Sequence, residues 1–341
     1  MKEKATTPRG EAPTISRVAA EAGVSRATVS RAFTRPEILS PQTVARVQEV
    51  AAQLGYTPNQ VARALSTGRH GNFALIVPDV ANPFFPPLIR AAQKRADQSD
   101  FCLFLGNSDE DPDLEDKLLG RFLGQVEGVV LASSRLDDAQ IRRHAERKPL
   151  VLINRDVAGI PRVLIDSASG VRAAVEHLAG LGHRHIVYVS GPAASWSNRQ
   201  RRQALRQACT AAKLTASAVA AQRPTFEAGL KSAKAVAATG ATAAVAFDEV
   251  VAQGLLAGLS GIGIDVPGRF SVVGCDDVIG ATTSPPMTTV SNRSAEAGEA
   301  AMALLLDVLR TRAIRDVRYV LDTHLVVRGS TGRAPGRSKS S

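Results

Sequence analysis

The sequence predicts an α/β protein with a small helical head and a larger body of two lobes built on parallel sheets. Two observations carry that expectation. From Arg69 onward, short β-branched and aliphatic runs alternate with amphipathic stretches, the strand–helix–strand rhythm of parallel sheets covered on both faces. There is too much chain for one such unit, so two similar lobes are expected. Before that point the apolar residues recur at three- and four-residue spacing, which marks packed helices.

In the head, Thr14 is placed to cap a first helix over Ile15–Ala22, where Ile15, Val18, Ala19 and Ala22 form one apolar face. Gly23 follows as a C-cap able to adopt positive φ. Ser25 can cap a second helix, 26–33, with Val29, Ala32 and Phe33 turned inward. A small Ala19 at the crossing, Gly23 in the turn and Val29 beyond it meet the needs of a tight helix-turn-helix. A plain helical hairpin would leave Arg26, Thr28 and Arg31 on the outward face without a reason. A third helix starts at Ser40 and Pro41 and runs to Leu54, with Val44, Val47, Val50, Ala51 and Leu54 as its buried stripe.

In the body, strands are expected at 73–77, 101–105, 128–131, 150–153, 163–165, 185–190, 243–247 and 270–274. Helices such as 86–97, 170–181, 198–213, 250–259 and 295–309 lie between them. Ligands of such folds bind beyond the carboxyl ends of the strands. The residues there are Asp79, Asn82, Phe84 and Phe85, then Asn154 and Asp156, then Asp166. Ser195, Trp196, Asn198, Arg199 and Arg201 follow the 185–190 strand, and Asp248 and Asp276 follow the last two. Carboxylates, amides and arginine suit the hydroxyls of a polyol, and aromatic faces suit its CH patches. Each of these residues alone is equally compatible with core or loop packing.

Composition narrows the function classes. The 341 residues carry a net charge of +10, unevenly placed. Residues 1–69 hold ten Lys and Arg against five acids, and 328–341 hold four bases and no acid, while 70–327 balance 28 against 27. A basic head on a near-neutral body points to a polyanion partner or, equally, to a solubilising surface. No apolar run approaches the ~18 residues of a membrane span. The first 13 residues lack the apolar core of a secretory signal, so a cytoplasmic protein is expected. Cys102, Cys209 and Cys275 are too scattered for a disulfide framework. There is no phosphate loop, nucleophile elbow or His-Glu-x-x-His, and His177, His183 and His185 lack Cys or carboxylate partners. No cofactor, metal or catalytic residue is expected.

Several strings resemble one family closely. They are Thr14-Ile15, Val18-Ala19, Ala22-Gly23-Val24-Ser25 and Ala27-Thr28-Val29-Ser30-Arg31 in the head, then Leu54-Gly55-Tyr56-Thr57-Pro58-Asn59. The body adds Asn82-Pro83-Phe84-Phe85, Glu176-His177-Leu178, Leu181-Gly182-His183, Ser271-Val272-Val273-Gly274 and Pro286-Met287-Thr288-Thr289-Val290. Over residues 14–331 the chain resembles the lactose/galactose-repressor (LacI/GalR) family of bacterial transcriptional regulators. The resemblance implies an α/β fold with an N-terminal helix-turn-helix headpiece and a periplasmic-binding-protein-like two-lobed body.

By matching position, Arg26, Ala27 and Arg31 stand where the family's recognition helix reads base edges, and an Arg there can pair bidentately with guanine. Thr14, Ser25 and Thr28 match phosphate clamps, a role compatible with helix capping. The segment from Asn59 to Gly68 matches the hinge, too short to be a stable helix alone, and Leu65 takes the place of the leucine that wedges into a central base step. Read without the family, Leu65 is one apolar residue in a linker. Arg201, Asp276 and Asn154 match effector contacts, whereas Phe247 departs from the pattern, since asparagine commonly precedes the Asp there.

The implied organisation is a disordered 1–13, a DNA-binding domain 14–57, a hinge helix or linker 58–69, an effector-binding and dimerisation domain 70–331, and a disordered tail 332–341. The lobes comprise 70–168 with 293–323, and 169–292 with 324–331. The expected protein is a homodimeric repressor that binds double-stranded DNA at a palindromic operator, controlled by a small-molecule effector, a carbohydrate or derivative, and not an enzyme. A cytosolic sugar-binding module and a carbohydrate-active enzyme on the same two-lobed fold are the alternatives.

Overall fold

The structure is a computed structural model that describes residues 13–57 and 70–336. The expected disordered segment through residue 12, the hinge 58–69 with Asn59 and Leu65, and the tail residues 337–341 lie outside the described residues. The chain divides into two units, one ending at His70 and the other beginning at Gly71.

The head unit holds α1 (Ile15–Ala22), α2 (Arg26–Thr34) and α3 (Pro41–Leu54). Thr14 Oγ1 accepts from Arg17 N, Ser25 Oγ from Thr28 N at 3.0 Å and Ser40 Oγ from Thr43 N at 3.2 Å. Each side chain thus satisfies an amide that the first helical turn leaves unpaired. Gly23 closes α1 at φ 64°, a conformation that would strain a residue carrying a Cβ. Val18, Ala19, Ala22, Val29, Ala32, Val47 and Ala51 form the buried centre, with Phe33, Leu54 and Tyr56 packed around it.

The body unit contains two six-stranded sheets. Sheet one is built from β1 (Asn72–Val77), β2 (Cys102–Asn107), β3 (Gly128–Ala132), β4 (Leu150–Ile153), β5 (Arg162–Ile165) and β11 (Arg318–Leu321), in the order β11-β5-β4-β3-β1-β2, all parallel. Sheet two is built from β6 (His185–Ser190), β7 (Thr215–Ala220), β8 (Ala243–Ala246), β9 (Ser271–Asp276), β10 (Thr288–Ser291) and β12 (His324–Val326). Its order is β12-β10-β9-β8-β6-β7, with β12 antiparallel to β10 and the other pairs parallel. Alternate residues of β1 explain the double burial. Phe73, Leu75 and Val77 enter one core with α4 (Phe85–Asp97) and α11 (Ser294–Thr311), while Ala74 and Ile76 enter another with α5 (Pro112–Phe122) and α6 (Asp138–Ala145). Sheet two is covered likewise by α7 (Ser167–Gly180) and α8 (Trp196–Ala211) on one face, and by α9 (Phe226–Ala238) and α10 (Glu249–Gly261) on the other. The chain passes between the sheets three times, after β5, β10 and β11. No helix among the described residues is long and apolar enough to cross a membrane.

Strands β7, β10, β11 and β12 fall outside the expected set. β7 and β11 are mostly exposed edge strands, and β7 reads Thr-Ala-Ser-Ala-Val-Ala, so the apolar signal that marks buried strands is missing. The expected disordered tail from residue 332 needs a larger correction. Gly332 N donates to Ser271 Oγ at 3.0 Å, Gly332 O lies 3.1 Å from His183 Nε2, and Ala334 N donates to Leu181 O at 2.9 Å. Just before them, fully buried Ser330 donates through Oγ to Val272 O and accepts from Thr288 N. Backbone hydrogen bonds to lobe two therefore hold a segment whose Gly, Ser and Arg composition reads as unfolded.

Candidate functional site

Two regions present functional chemistry, one in each unit. On the head, Arg26, Ala27 and Arg31 are exposed on α2, on the face opposite Val29 and Ala32. Thr28 Oγ1 and Ser25 Oγ lie 2.9 Å apart, and Thr14 and Ser25 both serve as N-caps. The outer face of α2 thus offers two guanidinium groups flanking a methyl, and rigid capping fixes their direction.

In the body, a cavity of about 40 Å³, narrower than a typical small-molecule site, opens between the carboxyl ends of the two sheets. From lobe one it is lined by Asn82, Phe84 and Phe85 after β1, Glu110 after β2, Ser133 and Arg135 after β3, and Asn154 after β4. From lobe two come Ser195, Ser197 and Arg201 after β6, Pro224 after β7, Phe247 and Asp248 after β8, and Asp276 at the end of β9.

The polar groups are tied to one another. Asn82 Nδ2 donates to Asp248 Oδ2 at 2.9 Å, and its Oδ1 accepts from Phe84 N. Asp248 also caps α10, accepting from Val251 N at 2.8 Å. Burial pushes its carboxyl above the usual range, against the pull of those bonds and of Arg201. Arg201 is 3 % exposed; Nη1 donates to Phe247 O, Nη2 lies 3.5 Å from Asp276 Oδ1, and the guanidinium sits 5.1 Å from the Phe247 ring centroid. Asp276 stands at φ 126° and accepts from Asn292 Nδ2 at 2.6 Å. Burial drives its carboxyl well above the ordinary value despite Arg201. Asn154, at φ 52°, accepts through Oδ1 from Ile165 N, which fixes its side chain between β4 and β5. Strain and raised carboxyl pKa values gathered at one cleft mark a site shaped for a ligand.

Seven of the ten expected effector residues line this cavity: Asn82, Phe84, Phe85, Asn154, Arg201, Asp248 and Asp276. Three do not, and local capping accounts for two of them. Asp79 turns back to accept from Ala81 N at 2.9 Å. Asp166 caps α7 by accepting from Ser169 N, and its carbonyl accepts from Thr323 Oγ1. Trp196 is half-buried at the first turn of α8, outside the lining. Glu110 and Arg135 are additions. They pair at 2.5 Å, and the position after β2 and β3 was the available signal. Glu115 carries no such signal; buried on α5, it accepts from Ser134 Oγ and Arg135 N and so fixes the loop that holds Arg135.

No group of three or more His, Cys, Asp or Glu able to hold a metal ion occurs among the described residues. His183 is buried between Thr242 Oγ1 and Ser271 Oγ, a packing role.

The chain matches family models at both ends of this architecture. Residues 14–59 match bacterial regulatory proteins of the lacI family, and 175–331 match a periplasmic binding protein-like domain. It is 30% identical to the HTH-type transcriptional repressor CytR of Escherichia coli (strain K12), over 95% of this chain and 98% of that one. It is 32% identical to the HTH-type transcriptional regulator CelR of Thermobifida fusca, over 94% and 99%. Among solved structures it resembles the Lac repressor dimer bound to operator and the anti-inducer ONPF, with a TM-score of 0.84 at 25% identity over 94% of this chain and 100% of that one. A CelR–cellobiose complex matches with a TM-score of 0.69 at 30% identity over 93% and 99%. The helix-turn-helix head, the two-lobed body and this similarity along nearly the whole length lead to one conclusion: the chain belongs to the lacI family of bacterial regulatory proteins.

Proposed function

We propose that the protein is a cytoplasmic transcriptional repressor that binds a palindromic operator as a homodimer and is released from it, or drawn to it, by a sugar or sugar derivative held between the lobes. The carrying observation is the cleft, where polar groups from both lobes surround one small cavity and meet directly at Asn82 and Asp248. A ligand that favours one degree of lobe closure shifts the population of the DNA-binding state. Arg26, Ala27 and Arg31 read base edges, Thr14, Ser25 and Thr28 contact phosphates, and Asn59 and Leu65 belong to a hinge that enters the minor groove. Asn82, Asn154, Arg201, Asp248 and Asp276 bind the effector hydroxyls, and Phe84 and Phe85 cover its apolar face. As a regulator the protein has no catalytic step, which sets aside the carbohydrate-active enzyme, and its helix-turn-helix head speaks against a sugar-binding module without a DNA partner.

The test selects an operator from random duplexes with the purified protein and measures its release against a panel of sugars and sugar acids. An effector changes operator affinity at least about tenfold. No operator, or an operator indifferent to every carbohydrate, overturns the proposal. Leu65→Ala weakens operator binding and leaves effector binding intact.

A further inference from the structure

We propose that Phe247 sets the preference of the cleft, and that the effector carries an apolar group against it, a methyl or an aryl or alkyl substituent, where an ordinary sugar carries a hydroxyl. This rests on the sugar-effector reading and narrows it.

Phe247 occupies a built slot. A Cβ added at Gly191 would lie 2.5 Å from the Phe247 ring, so glycine is what lets the ring lie against that backbone. On the ring also rests the Arg201 guanidinium, 5.1 Å from its centroid, whose Nη1 donates to the carbonyl of Phe247 itself. Phe247 N donates to Val189 O at 2.8 Å, so the backbone is tied to β6 as well. The ring is 8 % exposed and lines the cavity, as do Phe84 and Phe85, which meet edge to face at 5.1 Å. Both lobes therefore contribute phenyl surface to one space.

Most of the polar lining beside that surface is already engaged, although Arg201 Nε is buried without a hydrogen-bond partner. Asn82 is bonded to Asp248, Glu110 to Arg135, and Arg201 to Phe247 O beside Asp276. A hydroxyl against the rings gives up its water and competes for polar groups that are mostly engaged, whereas a methyl or ring face gains burial. An asparagine at 247 would reverse this by offering a donor and an acceptor. Apolar walls discriminate by about tenfold to a hundredfold in such cases. The apolar group has two sources, a deoxy position on the sugar ring or an aglycone, and matched ligands separate them.

The experiment is calorimetric titration of the full-length protein with matched pairs: L-rhamnose against L-mannose, L-fucose against L-galactose, D-fucose against D-galactose, and phenyl glycosides against their parent sugars. The expected result is a pair in which the apolar member binds at least about tenfold tighter, a ratio that Phe247→Asn abolishes and Phe247→Leu retains. The deoxy pairs and the phenyl pairs tell the two sources apart. Parent sugars that bind as tightly as every apolar counterpart overturn this inference alone, leaving the sugar-effector reading in place. Selectivity unchanged in Phe247→Asn also overturns it. No binding by any carbohydrate overturns the reading and the inference together. If Phe247→Asn fails to fold, the wild-type ratios still test the apolar effector, and Phe247→Ala assigns the ratio to this ring by lowering it or overturns the assignment by leaving it unchanged.

Discussion

Asn82 of lobe one and Asp248 of lobe two meet across the cleft, Nδ2 donating to Oδ2 at 2.9 Å with both side chains buried. A second pair, Arg223 and Asp109, also spans the lobes at 2.8 Å, but its side chains are 60 % and 64 % exposed. The two differ in what surrounds them. Losing a partner in a buried hydrogen bond costs about 1–3 kcal/mol, whereas a solvated ion pair contributes about 0–1 kcal/mol. Asn82→Ala is therefore expected to weaken effector binding about tenfold, and Arg223→Ala by less than about threefold. Calorimetry on the two variants measures this, and a larger loss from Arg223→Ala than from Asn82→Ala would refute the ranking.

The raised carboxyl of Asp276 gives a pH prediction with a definite sign. Burial holds its folded pKa above the unfolded value, so between the two the native state binds more protons than the unfolded chain. Stability therefore falls as pH rises through that window, and the full cost of the buried charge stands above it. Asp276→Asn keeps an oxygen to accept from Asn292 Nδ2 and removes the charge. Its Tm should exceed that of the wild type at neutral pH, and the difference should close as pH falls toward ~4. Effector affinity is lost in the same variant, the usual exchange of stability for function. Equal Tm values across the pH range would contradict the burial argument.

In the head, capping and base reading separate into different signatures. Ser25→Ala removes the acceptor for Thr28 N and should cost about 1 kcal/mol of head stability, weakening all operator sequences alike. Arg26→Ala leaves the fold intact, because its side chain is exposed, and should erase about 1–3 kcal/mol of discrimination at one base pair. Fluorescence anisotropy on an operator and its single-base variants distinguishes the two. A uniform loss from Arg26→Ala would place it on phosphate instead.

Most of the architecture was legible because its signals are local. Thr14, Gly23, Ser25 and Ser40 announce their own caps, and the burial of β1 on both faces is printed as five consecutive apolar residues. The strand-end rule brought Asn82, Asn154, Arg201, Asp248 and Asp276 to one cavity. It erred at Asp79 and Asp166, where the carboxylate bonds to a nearby backbone amide, a choice that sequence spacing does not reveal. Glu115 was invisible for the opposite reason, since its partners Ser134 and Arg135 lie 19 and 20 residues away. The anchoring of Gly332 and Ala334 likewise depends on His183, Ser271 and Leu181, long-range partners that composition does not encode.

Gly191 and Phe247 should behave as one unit. The Cβ of Gly191→Ala would fall 2.5 Å from ring carbons Cδ1 and Cγ of Phe247. Neither side can yield freely. Asn198 grips Gly191 through both its N–H and its carbonyl, at 3.1 and 3.2 Å, and Arg201 rests on the ring. Overpacking of this kind costs about 1–3 kcal/mol. In a Phe247→Ala background the new methyl enters the space the ring leaves, and the same glycine substitution should cost little. A double-mutant cycle by chemical denaturation should therefore return a coupling of about 1 kcal/mol or more. Strict additivity would mean that the loop carrying Gly191 moves aside, and that the ring is less firmly seated than its contacts indicate.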